Sequence, residues 1–212
     1  MQLIHYLNET FFTENQLLAA CQIDAGTLAQ LQQRRIMPLP SYHLRLRVDC
    51  DSVFGAHSEQ SAIAYYAKGY VDWVGILPTL ADDGCAFERF ATRYRRRAQE
   101  LMDCGIAPRH EKLNAGMAAH LRSEWEHFLN GTYGLCTRSG LPDDIATKEV
   151  AAMMIDEILA EADKRALTST QCAALQQAVD LLDSASAQFA PHEVARSSRQ
   201  RLISDVRAKH LR

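Results

Sequence analysis

Two helix-start signals close to the N-terminus, followed by two prolines, constrain the fold most strongly. Thr13-Glu14-Asn15-Gln16 has the residue order of a capping box, in which the first and last side chains satisfy each other's backbone N–H groups. Asp24 is a second good N-cap, and Pro38 and Pro40 prevent a helix from continuing past them. The spacing therefore predicts two short helices joined by about three residues, a helix-turn-helix arrangement.

A strand is predicted directly after the prolines. Apolar and polar residues alternate from Tyr42 to Val48, which is the pattern of a strand with one buried face. The other face carries His43, Arg45 and Arg47, so we expect it to be basic.

Beyond residue 57 the periodicity predicts helices. They are expected over 58–69, from Asp82 or Asp83 to 105, over 108–129, from 142 to near Arg165, after a second capping box at Thr168, and from 191 to the C-terminus. Residues 70–77 are ambiguous, and 131–140 are expected to form a loop. The predicted fold class is mainly α, with an N-terminal helix-turn-helix and short β-ribbon packed on a bundle of about five helices. The predicted domains are 1–57 and 58–212.

The composition is that of an ordinary globular protein. The 212 residues are 47% hydrophobic and carry a formal net charge of −3, which argues against a globally basic nucleic-acid-binding protein. No run of 18 apolar residues and no signal peptide is found, so we expect a cytoplasmic protein that does not enter a membrane. The six cysteines form no Cys-x-x-Cys pair, which favours reduced thiols over a zinc ribbon or a disulfide framework.

The N-terminal segment is the first candidate site. Between residues 13 and 47, four arginines are set against Glu14 and Asp24, so the charge is locally positive. The segment from Thr13 to Ser41 resembles the first half of the winged helix-turn-helix found in MerR-type regulators and excisionase-like domains. That resemblance implies a second helix in the major groove of DNA and a following wing that touches phosphates. The implied nucleic-acid-binding residues are Thr27, Gln30, Arg34, Arg35, Arg45 and Arg47. The alternative is an adapter that packs on the helical remainder.

A carboxylate on an apolar helix face is the second candidate site. In the predicted helix over 108–129, Glu124 falls inside the apolar stripe, with His120 four residues before it and His127 three residues after it. An unpaired buried charge is costly, so Glu124 needs a partner. Three interpretations stay open. They are a structural hydrogen-bond network, a metal site formed by His120, Glu124 and His127, to which Cys136 could add a fourth ligand, and metal-free catalysis in which a histidine polarised by Glu124 activates Cys136 or takes a proton from a substrate. The sequence indicates no particular cofactor.

Three charged segments point to a further contact. Residues 89–112 and the last helix each balance at +4, whereas residues 143–166 balance at −4. The acidic segment is a partner for the basic ones, either within the fold or in a second subunit, so a homodimer is one expectation.

Over nearly its whole length the chain is similar to an uncharacterised bacterial family whose members occur beside natural-product biosynthesis genes. The block Glu124-Trp125-x-His127-Phe128 and the following Gly131-x-Tyr133-Gly134-Leu135-Cys136 carry this resemblance most strongly. It implies a cytoplasmic accessory or regulatory protein that binds DNA or a pathway protein. The alternatives are an enzyme using His120, Glu124, His127 and Cys136, and a structural interaction protein.

Overall fold

The computed structural model describes residues 2–162 and 166–211 of the chain. Within this part the protein is mainly α-helical and has one three-stranded antiparallel sheet near its N-terminus. The predicted mainly-α class is therefore confirmed. Among the same residues, no helix combines the length and the apolar character that crossing a membrane requires.

The N-terminal elements follow the local capping signals. They are α1 (Gln2–Thr10), β1 (Phe11–Thr13), α2 (Glu14–Cys21) and α3 (Ala25–Gln33). The Thr13 hydroxyl accepts the backbone N–H of Gln16 at 3.4 Å, and the Gln16 side chain accepts the backbone N–H of Thr13 at 2.9 Å. Asp24 accepts the backbone N–H of Thr27 at 2.7 Å. Both predicted helix starts are confirmed, whereas α1 was not predicted.

A long hairpin follows, formed by β2 (Tyr42–Ser52) and β3 (Gly55–Ala67). β3 pairs with both other strands, so the sheet order is β1-β3-β2. The predicted strand is confirmed and extends beyond Val48. The predicted helix over 58–69 is wrong because pairing with β2 overrides a short helical pattern in a segment rich in strand-forming residues such as Ile63 and Tyr65.

The predicted domain boundary between residues 57 and 58 falls inside β3. Because β3 is held to β2 from Gly55 to Tyr65 and to β1 from Tyr65 to Ala67, the N-terminal unit includes the chain through Ala67. This unit also shares its core with the helical body, since Leu17 of α2 and Leu28 of α3 belong to the same buried cluster as Trp73 and Phe90.

The helical body consists of α4 (Tyr70–Ile76), α5 (Gly84–Asp103), α6 (Met117–Leu129), α7 (Thr132–Cys136), α8 (Pro142–Ala162), α9 (Ser169–Ala185) and α10 (Asp205–His210). The predicted starts of α5 and α8 and the capping box at Thr168 are confirmed. The predicted end near Arg165 lies outside the described residues.

Three predictions for the body are wrong in detail. Pro108 does not open a helix; a single 3-10 turn at Glu111–Leu113 precedes α6, because the preference of proline for a helix start is only a weak local signal. The expected loop over 131–140 contains α7. The last basic helix is broken into a 3-10 turn (Val194–Arg196), a π-helical turn (Gln200–Ser204) and α10.

An aromatic cluster joins the N-terminal unit to the body. The rings of Trp73 and Phe128 lie 4.9 Å apart, and those of Phe90 and Phe128 lie 5.2 Å apart. The Trp73 indole also donates to the carbonyl of Ile36 at 2.7 Å. A second buried cluster lies between α8, α9 and the C-terminal segment. The aromatic cluster, through Phe90 and Phe128, holds α5 against α6, and these two helices carry the buried polar site.

Candidate functional site

A buried polar network lies between α5 and α6. The helix places His120 and Glu124 one turn apart on its inner face, and both residues are only 4% exposed. Nδ1 of His120 lies 3.3 Å from a carboxyl oxygen of Glu124. Its Nε2 lies 2.9 Å from the Tyr94 hydroxyl of α5. The chain of contacts therefore runs from Tyr94 through His120 to Glu124.

Burial keeps this network neutral. Desolvation, helped by the nearby Glu149, raises the pKa of Glu124 to about 8, while Lys112 and Lys148 oppose the shift. Desolvation also lowers the pKa of His120. At pH 7 the carboxyl group is therefore mostly protonated and the imidazole is uncharged. The second carboxyl oxygen of Glu124, Oε2, is buried and makes no hydrogen bond.

An open cleft borders the charged residues that influence Glu124. Lys112, Lys148 and Glu149 line this cleft, which has a volume of about 440 Å³. Lys148 lies 3.3 Å from Glu149. The sequence analysis did not predict that Tyr94, Lys148 and Glu149 surround the site, because these residues lie on other helices and no local spacing connects them to Glu124.

The other two predicted members of this site, His127 and Cys136, are placed differently. His127 is exposed and packs its ring edge-on against Tyr133, with 6.2 Å between ring centroids. Cys136 is half-buried, and burial raises the pKa of its thiol, so it is not an activated thiolate. Within residues 2–162 and 166–211, no three His, Cys, Asp or Glu side chains converge on a position that would hold a metal ion.

The predicted nucleic-acid-binding residues of α3 lie at the surface. Thr27 and Gln30 are exposed, whereas Leu28 between them is buried. Arg34 forms an ion pair with Asp83 at the start of α5.

Arg35 forms an ion pair with Glu126 of α6. The two arginines that follow α3 therefore bind to the helical body.

Arg45 and Arg47 lie on the hairpin, on the same side of the sheet as α3. Directly opposed residues of antiparallel strands share a face, and Arg45 is paired with Ala62 in β3. Tyr66 lies on this same face and accepts a hydrogen bond from Gln32 of α3 at 3.3 Å. The predicted wing arginines and the predicted recognition helix thus face one side of the molecule.

Comparison with known proteins identifies a family for the helical body. Residues 86–211, which make up more than half of the chain, match the model of a family of unknown function, DUF6058. The chain belongs to this family. No curated protein and no solved structure matches the chain.

The DUF6058 segment begins near the start of α5 and ends after α10. It contains the whole Tyr94, His120 and Glu124 network as well as Cys136, but it leaves out α1 to α4 and the sheet. Membership therefore confirms the expected relation to an uncharacterised family. The natural-product setting and the helix-turn-helix resemblance stay predictions.

Within the DUF6058 segment, the basic and acidic runs pair with each other. Arg93 and Arg96 of α5 both contact Asp143 at the start of α8.

Arg199 and Arg207 both contact Asp183 of α9, and Arg201 lies 3.0 Å from Asp156 of α8. Of these three arginines, Arg201 contacts the predicted acidic segment 143–166, whereas Asp183 lies outside it; the homodimer stays a prediction.

Proposed function

We propose that this protein is an accessory regulatory protein that acts by binding DNA through α2, α3 and the hairpin. One observation carries the proposal: the exposed face of α3 and the two hairpin arginines lie on the same side of the sheet. Two short helices followed by a hairpin are the order of elements that the winged helix-turn-helix resemblance implies.

The exposed residues of α3 fit a recognition helix. In a helix-turn-helix, residues near the start of the second helix reach the base edges. Here Thr27 and Gln30 occupy these positions, and their hydroxyl and amide groups can bond to bases. Leu28 packs into the core and anchors the opposite side of α3, so Thr27 and Gln30 stay on the exposed side.

Phosphate contacts come from the hairpin in this proposal. Arg34 and Arg35 are held in ion pairs with Asp83 and Glu126 of the helical body, so we assign the phosphate contacts to Arg45 and Arg47 of the hairpin. Arg47 also lies 3.3 Å from Asp49 of its own strand, and its remaining N–H groups are the ones that would reach a phosphate.

The unit as a whole is not basic, since residues 2–67 contain four Arg and six Asp or Glu. We therefore expect weak non-specific affinity, with a dissociation constant at the weak end of the usual range of roughly 10⁻⁴ to 10⁻⁶ M.

The setting of this activity follows from the resemblance described above. We propose a cytoplasmic protein that serves a natural-product biosynthesis pathway. Identifying the genes that neighbour the gene for this chain, and testing whether duplexes from their promoters compete with random DNA, examines this part of the proposal separately.

Fluorescence anisotropy with random-sequence duplex DNA over a salt series tests DNA binding. Changing Arg45→Gln and Arg47→Gln together removes two phosphate contacts, so we expect the slope of log K against log [salt] to become shallower by about 2.

The matched control is Arg89→Gln with Arg95→Gln, which removes the same charge from two exposed arginines of α5, away from the hairpin, and should keep the slope. Absence of binding by the wild-type protein at low salt contradicts the proposal.

A second candidate function, acid–base catalysis, is favoured by the buried Glu124 with its unpaired Oε2 and raised pKa. Its small exposure restricts access by a substrate, so we propose that the network around His120 has a structural role. Metal analysis of the untagged protein tests the metal-dependent version of the enzyme.

A further inference from the structure

The outer edge of β2 has no neighbouring strand. In the part of the chain that the structure describes, β2 pairs with β3 and is the last strand of the sheet. The hairpin ends in Val53 and Phe54, which are 95% and 98% exposed. A two-stranded ribbon is only marginally stable in water, and a long free edge is a template for another strand. These features indicate that the hairpin is completed by a partner.

The charges along this edge are arranged symmetrically. Counting outward from Val48, Arg47 and Asp49 are one residue away, and Arg45 and Asp51 are three residues away. All four charged residues have odd numbers and therefore lie on one face of the strand. The sequence of charges is complementary to itself when the strand is reversed.

We propose that two copies of this chain pair through their β2 edges, antiparallel and centred on Val48. Val48 then lies opposite Val48 of the second copy. Arg47, whose Nε lies 3.3 Å from Asp49 of its own strand, then also lies opposite Asp49 of the second copy. Arg45 lies opposite Asp51 of the second copy. By symmetry the dimer contains four such pairs on one face, and opposite charges in directly opposed positions stabilise an antiparallel pair.

The other face of the paired strands is apolar. Leu44, Leu46, Val48 and Cys50 of each copy lie on it, and Val48 is 45% exposed in the single chain. A shift of the register by one residue would bring these side chains onto the charged face. A shift by two residues in either direction would oppose Arg47 to Arg47 or Asp49 to Asp49. The register centred on Val48 is the one that satisfies both faces.

This register also covers the exposed tip. Phe54 of one copy comes level with Tyr42 of the other. Tyr42 lies beside Phe11, with 5.1 Å between ring centroids, in a small apolar cluster under the base of the hairpin. We call the β2–β3 hairpin of each copy its arm. The tip of each arm therefore reaches apolar side chains at the base of the arm of the other copy.

The dimer has a geometry that suits the proposed DNA binding, although the pairing itself does not rest on that function. Because directly opposed residues share a face, both α3 helices lie on the same side of the joined sheet. The two hairpin bases are separated by about 12 strand residues, which is about 40 Å at 3.3 Å per residue. Recognition helices in a dimer bind half-sites roughly 34–36 Å apart.

Light scattering on the full chain without DNA tests the arm dimer. We expect the wild type to be a dimer at low salt. Arg45→Asp with Arg47→Asp gives an acidic arm, and Asp49→Arg with Asp51→Arg gives a basic arm. Each variant alone places like charges opposite each other, so we expect its self-association to weaken by about 10- to 100-fold. An equimolar mixture of the two variants should form a one-to-one heterodimer, since every opposed pair is then opposite in charge.

Arg89→Asp with Arg95→Asp is the matched control, because these exposed arginines lie on α5, away from the arm, and this variant should remain dimeric. Circular dichroism confirms that each variant is folded. A monomeric wild type, a dimer that persists in both arm variants, or a mixture that stays monomeric overturns the proposal. Because no DNA is present, none of these outcomes depends on the proposed DNA binding.

Discussion

Replacing Glu124 by glutamine is expected to change how stability depends on pH. The fold holds Glu124 in its protonated form, because burial raises its pKa from 4.5 to about 8. In the unfolded chain the same group loses its proton near pH 4.5. Between these values the folded state binds more protons than the unfolded state, so the wild type loses stability as the pH rises.

The size of this loss follows from the two pKa values. For a group whose pKa moves from 4.5 to about 8 on folding, the cost that accumulates between pH 5 and pH 8 is roughly 3 to 4 kcal/mol. Glutamine does not titrate but keeps the shape of the protonated carboxyl group and can donate a hydrogen bond to His120. The titration of His120 occurs in both proteins, so it largely cancels when the two are compared.

Urea unfolding of the wild type and Glu124→Gln at pH 5, 6, 7 and 8 measures the effect. We expect the free energy of unfolding of the wild type to fall relative to that of the variant by roughly 3 to 4 kcal/mol over this range. Glu126→Gln is the control on the same helix, since Glu126 is exposed and its ion pair with Arg35 is worth at most about 1 kcal/mol. A difference that changes by less than about 1 kcal/mol would show that Glu124 is not held neutral.

Two further changes test one hydrogen bond of the site and the close packing at Tyr70. Tyr94→Phe keeps the ring in the core but leaves Nε2 of His120 without a partner, so unfolding measurements should show a loss of about 1 to 3 kcal/mol; no loss would mean that the hydrogen bond does not contribute. Gly140→Ala places a Cβ 2.8 Å from the Tyr70 ring at a φ of +76°, so it should cost roughly 2 to 5 kcal/mol. Gly105→Ala has a similar φ but open space and should cost only about 1 to 2 kcal/mol, and equal losses would contradict the steric argument.

Features set by neighbouring residues were predictable from the sequence. The capping box at Thr13 and the N-cap at Asp24 act within one helical turn, so their residue order alone located two helix starts. The contact between His120 and Glu124 follows from their i, i+4 spacing on one helix. The need for a partner to Glu124 was likewise visible from its place in an apolar stripe.

Features set by distant contacts were not predictable in the same way. The segment 58–67 has a weak helical pattern, and its strand state depends on pairing with β2. Tyr94 lies on α5, and its hydrogen bond to His120 depends on how α5 and α6 pack. Glu149 influences Glu124 from a third helix. Periodicity describes one element at a time and contains no information about these approaches.

The end of β2 shows how much one boundary changes the interpretation. A strand that ends at Val48 has a basic face, which favours phosphate as its ligand. The strand continues to Ser52, so Asp49 and Asp51 join Arg45 and Arg47 on that face and make it complementary to a second copy.

An arginine has five N–H donors, so one guanidinium can bind an aspartate and a phosphate together. Replacing Asp49 and Asp51 by asparagine separates the two roles. This variant should lose self-association, whereas each copy keeps both arginines and therefore its own two phosphate contacts with DNA.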